Sequence, residues 1–422
     1  MPLLRRDFLR SAALLTASAA TLTLARQASG EARFGPLEED PDGILDLPSG
    51  FSYTVLQTAG DLMTDDEAAP ILPDGMACFE DDDGNWVLMR NHEIGGGENP
   101  NSAAYRATAL GGVSRLVLDP ETVTVRSSNL VLTGTLTNCA GGASPWGWLS
   151  CEEADFEEAD HGWVFLCPAD AASVRTPDRI DAYGRFKHEA VAVDPRSRVA
   201  WLTEDEGDGA FYRFVPDRKR DPFVGRLQAL AIVGSDLFDT GPDLAVGDAF
   251  EVRWVDIDDP SASEERTAEQ AQSKGAAIFK RGEGIWYDEV EGTVFFSCTS
   301  GGPISFGQIF RLDPDRDGGT LTLVAQAEND EGLVFPDNLT VAPWGDLVIC
   351  EDSILADNHV RVLCTDDGTV HPLARNRLNG GTSEFAGICF SPDGRVLFVN
   401  IQGEGLTLAI QGPFPEPRPR GC

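Results

Sequence analysis

The chain has 422 residues, with 69 acidic side chains against 33 basic ones and a formal net charge of -36. Its length and 42% hydrophobic content allow one large β domain or two smaller ones. The charge excludes nucleic-acid binding, which needs a basic footprint, and argues against anionic lipid surfaces. The surplus acid reads either as a solvated, self-repelling surface or as ligands for hard cations, and only placement separates the two.

In chain order, the N-terminus comes first. Leu4-Arg5-Arg6-Asp7-Phe8-Leu9-Arg10 leads into a soft apolar run from Ser11 to Ala25. Paired arginines, Phe-Leu and a modest apolar stretch make a twin-arginine export signal. The run is too short for a comfortable membrane span. Residues 1–32 are therefore read as a signal peptide that meets the twin-arginine translocase and is cleaved between Ala25 and Ala32. The expected location is periplasmic or extracellular. That route carries proteins already folded, often with a metal or cofactor inserted.

After the signal, short alternating runs are separated by Gly, Pro, Asp and Asn, the pattern of an all-β chain. Trp86-Val87-Leu88-Met89, Thr293-Val294-Phe295-Phe296, Leu347-Val348-Ile349-Cys350 and Val396-Leu397-Phe398-Val399 are strands after Gly-containing turns. The best helical candidate is a polar insertion, Ser261 to Gln272, and the Pro/Arg-rich tail from Pro413 to Cys422 is expected to be loose. The nine cysteines are odd in number and show no framework spacing, which leaves room for one or two disulfides. Cys298, Cys350 and Cys389 lie in apolar strand patterns and read as core residues.

Six segments share one layout of polar residue, apolar stretch, tight turn, apolar strand and a second polar residue. They run over 74–93, 138–153, 187–205, 281–299, 337–352 and 384–402. Two match closely: Asn138-Cys139 through Pro145-Trp146-Gly147 to Cys151-Glu152-Glu153, and Asp337-Asn338 through Pro343-Trp344-Gly345 to Cys350-Glu351-Asp352. Spacing of about 60 residues fits propeller blades with insertions. The expectation is an all-β, six-bladed β-propeller; a β-sandwich with repeated turn chemistry is the alternative.

In a propeller, polar residues at a fixed blade position meet around the central channel. A ring of Glu153, Glu189, Glu283, Asp337 and Glu351 must be protonated or paired with cations. Cys139 stands where a neighbouring repeat has Asp337 or Asn338, and a thiolate there suits a transition metal better than calcium. His188 and His92 abut Glu189 and Glu93. His161, His359 and His371 have no motif around them and read as surface residues, so a three-histidine zinc site is not expected. Arg281 is tied to Glu283 through Gly282, either to balance the ring's charge or to grip an anion such as phosphate with its planar fork. Lys187 stands in the same relation to Glu189 without the fork.

At these residues the sequence resembles the PhoX-type alkaline phosphatases, a twin-arginine-exported family. The resemblance rests on Leu47-Pro48-Ser49-Gly50-Phe51-Ser52-Tyr53, Asn91-His92-Glu93, Thr137-Asn138-Cys139-Ala140-Gly141-Gly142, Cys151-Glu152-Glu153 and Gly184-Arg185-Phe186-Lys187-His188-Glu189-Ala190. It continues through Glu204-Asp205 with Phe211-Tyr212-Arg213-Phe214, Arg281-Gly282-Glu283-Gly284, Phe335-Pro336-Asp337-Asn338-Leu339-Thr340, Cys350-Glu351-Asp352 and Glu384-Phe385-Ala386-Gly387. It implies that residues 33–422 form a single propeller catalytic domain, a phosphomonoesterase acting on small phosphate esters. It further implies two ferric ions with calcium ions around them. Carried over residue by residue, Cys139, Glu153, Glu189, Glu283, Asp337 and Glu351 are implied metal ligands, and Glu152, Asn338 and Asp352 are ligands or their supports. Arg281, beside Glu283, is the implied phosphate contact. A second substrate arginine and part of the calcium ligand set find no match in this shorter chain. A monomer is expected. The rival readings are a calcium-only propeller lactonase or phosphotriesterase, and a non-catalytic periplasmic propeller that binds a metal or a partner.

Overall fold

The computed structural model describes residues 33–418 apart from residues 159, 242, 330, 331 and 356, so the export signal lies outside the described residues. Strands dominate because the short alternating runs bury one face, or both, against neighbouring sheets. Six inner strands, Pro73–Glu80, Gly141–Ser144, His188–Val193, Gly282–Asp288, Pro336–Val341 and Phe385–Phe390, form a closed ring. Each packs against the next and the last packs against the first. Antiparallel strands extend outward from each, giving six blades. The six repeated segments of the sequence are the two innermost strands of these blades, in order.

Blade six is closed by the N-terminal strand Ser52–Thr58, which pairs with Leu406–Gln411. This N-terminal strand thus completes the last blade as its fourth, outermost strand. Arg90 secures this junction: it is buried, and its guanidinium donates to Ser114 Oγ, Gln57 Oε1 and Thr407 Oγ1. Blades three and four are fused into one nine-stranded sheet because Ala249–Asp256 pairs with both Asp221–Ile232 and Gly319–Gln326. Blade five is widened by Leu45–Pro48 and Leu37–Glu38.

The core lies between blades. Phe211, Phe279, Phe296 and Phe310 fill the space between blades three and four, with Phe211 and Phe296 stacked at 4.3 Å. Burial of each such ring is worth roughly 1.5–3 kcal/mol. The inner strands approach so closely that a Cβ on Gly142 would lie 1.7 Å from the Val191 carbonyl oxygen. Gly387 combines φ +60° with a Cβ position 2.1 Å from the Asp74 carbonyl oxygen, so only glycine fits.

The polar insertion does contain a helix, but it is shorter than expected, Thr267–Ser273. Asp259 accepts bonds from the backbone and hydroxyls of Ser261 and Ser263, which holds the preceding residues in a turn. The tail is also corrected as far as residue 418. Phe414 stacks on Trp344 at 5.6 Å, and Arg418 pairs with Asp288 at 2.7 Å and Glu291 at 3.0 Å. The eight described cysteines are all unpaired; Cys298, Cys350 and Cys389 are core residues.

Candidate metal centre

The site follows from one repeated backbone device. The carbonyl of a residue before each inner strand accepts a hydrogen bond from the N–H of a residue that ends the second strand. The pairs are Leu72 with Glu93, Thr137 with Glu153, Lys187 with Asp205, Arg281 with Thr299, Phe335 with Asp352 and Glu384 with Gln402, at 2.9–3.2 Å. Two residues further along the chain stand Asp74, Cys139, Glu189, Glu283, Asp337 and Ala386. In four blades the first residue is left-handed although it is not glycine: Leu72 (φ 49°), Thr137 (43°), Arg281 (56°) and Phe335 (44°). Such backbone costs roughly 1 kcal/mol or more per residue and persists where the surroundings impose it. In blades one, three, four and five the pairing slips just after this position, between Pro73 and Met76, His188 and Val191, Gly282 and Ile285, and Pro336 and Leu339. The bulge turns Asp74, Glu189, Glu283 and Asp337 toward the channel.

The result is three groups of donors, each with ligand atoms within 4.8 Å of one another: Cys139 with Glu153 and Glu189, Glu189 with Glu283 and Asp337, and Asp74 with Glu93 and Glu384; the first two share Glu189 and the third stands apart. Burial, then mutual repulsion, raises the carboxyls. Glu153 is pushed up to about 7 and Asp337 to about 8. Asp74, Glu189, Glu283 and Glu384 are all held well above the carboxylate range by burial and by one another. Burial and the charges of Glu189, Glu153 and Asp74 likewise push the Cys139 thiol up. Asp74 Oδ1 is buried without a hydrogen-bond partner. Protein groups compensate this acid only in part: Gln402 Nε2 donates to Asp74 Oδ2 and Glu93 Oε2, each at 2.8 Å.

Two cations stand at the edge of the cluster. Arg281 places Nε and Nη2 on Asp205 at 2.7 and 2.8 Å, with Nη2 3.3 Å from Glu283. Lys187 Nζ is 3.0 Å from Glu153. The Asp205 bridge and neighbouring carboxylates keep Arg281 charged at any ordinary pH.

Of the expected residues, Cys139, Glu153, Glu189, Glu283 and Asp337 come together, and Asp352 faces them closely enough to raise Asp337, Glu93 and Glu384. Glu351 is corrected as a ligand, Glu152 lies outside the three donor groups, and Asn338 takes the supporting role that was its alternative reading. Glu152 accepts bonds from the N–H groups of Leu136, Gly162 and Trp163 and from His161 Nδ1. Glu351 is taken by Arg361 Nε and the N–H groups of Val334 and His359. Both carboxylates are spent on tying loops to their own blades. Asn338 donates to Asp337 Oδ1 and accepts from the Gly387 N–H, so it orients a ligand and links blade five to blade six. His161 is buried against Glu152 and His359 lies half-buried beside Glu351, so neither is a surface residue. Glu152→Gln is expected to lower unfolding free energy by about 1–3 kcal/mol without changing metal content; urea melts and elemental analysis check it. Asp74, Glu93, Asp205 and Glu384 were not foreseen as site residues, although they bound the repeated segments.

The closed ring defines a six-bladed propeller whose channel gathers donors that could hold metal ions. The sequence profile of the family described as alkaline phosphatase PhoX matches residues 32–116 and 121–405, and the chain belongs to that family of phosphomonoester hydrolases. Among solved structures, Pseudomonas fluorescens PhoX in complex with vanadate, a transition-state analogue, superposes with a TM-score of 0.70 at 20% identity, covering 89% of this chain and 97% of that one; this likeness shows the fold. A gluconolactonase from Xanthomonas campestris aligns at a TM-score of 0.48 and 14% identity, over 91% of this chain and 99% of its own. No curated protein matches in sequence. No helix among the described residues is long and apolar enough to cross a membrane.

Proposed function

We propose that this chain is an exported alkaline phosphatase that hydrolyses small phosphate monoesters at a centre of iron and calcium ions in the propeller channel. The observation that carries this reading is the incompletely compensated cluster of buried carboxyls with one thiol, including the unpartnered Asp74 Oδ1. Donor chemistry sorts the groups. Cys139, Glu153 and Glu189 include a thiolate and suit iron, and Glu189, Glu283 and Asp337 share a carboxylate with them and suit a second ion beside it. Asp74, Glu93 and Glu384 offer only oxygen and suit calcium. Bound there, such ions polarise phosphoryl oxygens and offset the charge of an in-line transition state.

The chain's own residues supply the rest. Arg281 presents a guanidinium beside the cluster, 45% exposed and braced from behind by Asp205, so it can orient an anionic ester at little entropic cost. Asn338 fixes Asp337. The twin-arginine signal of residues 5–6 belongs to this reading, because that route exports protein already folded around its metals.

The test is protein purified from a twin-arginine-competent host, analysed for metals and assayed with p-nitrophenyl phosphate before and after chelation. Iron with calcium, and activity lost to chelator and restored by calcium, is the expected result. Calcium without iron, together with lactone or phosphotriester hydrolysis, would replace this reading with the lactonase or phosphotriesterase one.

A further inference from the structure

Lys187 and Arg281 hold the same position on neighbouring blades. The backbone carbonyl of each accepts from the N–H of the residue ending the second strand, Asp205 at 3.1 Å and Thr299 at 2.9 Å. Each stands two residues before a channel carboxylate, Glu189 or Glu283. Each is held by a carboxylate of the blade before it: Lys187 by Glu153, Arg281 by Asp205. The other four blades carry Leu72, Thr137, Phe335 and Glu384 there, none of them cationic. Both cations remain partly open, with side-chain exposures of 21% and 45%. The second strand of blade four also ends in an uncharged residue, Thr299, as blade six ends in Gln402, where blades one, two, three and five end in Glu93, Glu153, Asp205 and Asp352. The two cations thus stand on adjacent blades, on one side of an otherwise acidic channel.

We propose that Lys187 is a substrate-contacting residue that closes a two-cation clamp with Arg281 and sets a preference for phosphate groups carrying two negative charges. The inference rests on the phosphomonoesterase reading. Arg281 supplies a planar fork and Lys187 a mobile point charge from the next blade. A phosphate monoester above pH 7 carries two charges and uses both cations. A diester carries one and gains less from the second. The carboxylate on each cation keeps it in place, and the incoming phosphate replaces part of that pairing.

The experiment uses the metal-loaded, full-length protein. Lys187→Met is expected to raise KM for p-nitrophenyl phosphate, and Kd for inorganic phosphate by calorimetry, about 10- to 100-fold, the effect of losing one hydrogen bond to a charged group. The KM for bis(p-nitrophenyl) phosphate, or the KI of a diester that is not turned over, should move less than 3-fold. Lys187→Arg should recover most of the loss, and iron and calcium content should stay at the wild-type level. Lys219→Met, on an exposed loop, controls for net charge. Where Lys187→Met does not fold, Lys187→Gln gives the same comparison. Unchanged phosphate affinity, equal losses for mono- and diester, or a fall in metal content would overturn the proposal. Phosphate binding separates the two readings: a wild-type protein that binds phosphate through Lys187 but hydrolyses no monoester would retain the clamp and sink the phosphatase.

Discussion

Metal-stripped protein is expected to melt about 5–10 °C lower at pH 8.5 than at pH 5.5, and the metal-loaded protein to show little of that difference. The sign follows from the raised carboxyls. In the unfolded chain they ionise near pH 4; in the fold without ions Glu153 ionises at about 7 and Asp337 at about 8. Below pH 4 they are neutral in both states and cost nothing. As pH rises the unfolded state releases its protons first, so the fold loses stability steadily until the folded groups have also ionised, near pH 8. One carboxyl raised by two to three units contributes on the order of 3 kcal/mol. Bound cations remove the cause, because each carboxylate then faces positive charge rather than its neighbours. The net charge of -36 acts in the same direction through surface repulsion, so the comparison is made by calorimetry at low salt and in 0.5 M NaCl. Salt screens the surface and hardly touches the buried cluster. A pH difference that vanishes in salt would place the effect on the surface and leave the cluster without a cost to relieve.

The propeller was readable because each pair of inner strands repeats one layout, and the closely matched Pro-Trp-Gly turns fix the register between blades two and five. That same register also sorts the acidic pairs at the strand ends. Aligning Cys151-Glu152-Glu153 with Cys350-Glu351-Asp352 makes Glu153 equivalent to Asp352, not to Glu351. Side chains alternate along a strand, so Glu152 and Glu351 must point away from the channel when their neighbours point into it. The bonds that occupy them come from Leu136, Val334 and Arg361, on other strands and loops, and no local pattern announces those. Asp74, Glu93, Asp205 and Glu384 were the ends of recognised segments, yet an isolated Asp or Glu in so acidic a chain carries little information until the ring closes. The left-handed residues at 72, 137, 281 and 335 had no sequence signal, since Leu, Thr, Arg and Phe do not ordinarily mark that conformation. Tertiary packing imposes it.

Cys139→Ser is expected to remove iron while leaving most of the calcium, and to lower kcat for p-nitrophenyl phosphate at least 100-fold. The reason lies in how the donors are divided. Cys139 Sγ belongs to the group with Glu153 and Glu189, whereas Asp74, Glu93 and Glu384 form a separate oxygen-only group on blades one and six. Serine replaces the soft donor with a hydroxyl that stays protonated, so a thiophilic ion loses its anchor and a hard one on the far side does not. The fold should tolerate the change, because the Cys139 backbone is held independently: its carbonyl accepts from the Gly75 N–H at 2.9 Å and from Asn91 Nδ2 at 3.1 Å. Asn91 is itself fixed by Trp148 Nε1 and Ser150 Oγ. A thermal melt of the chelated variant within a few degrees of chelated wild type would confirm that independence. Glu384→Gln is the reciprocal variant and should release calcium while iron remains. Iron and calcium lost together in both variants would mean that the channel binds one indivisible cluster. Full activity in Cys139→Ser would take the thiol out of the site altogether.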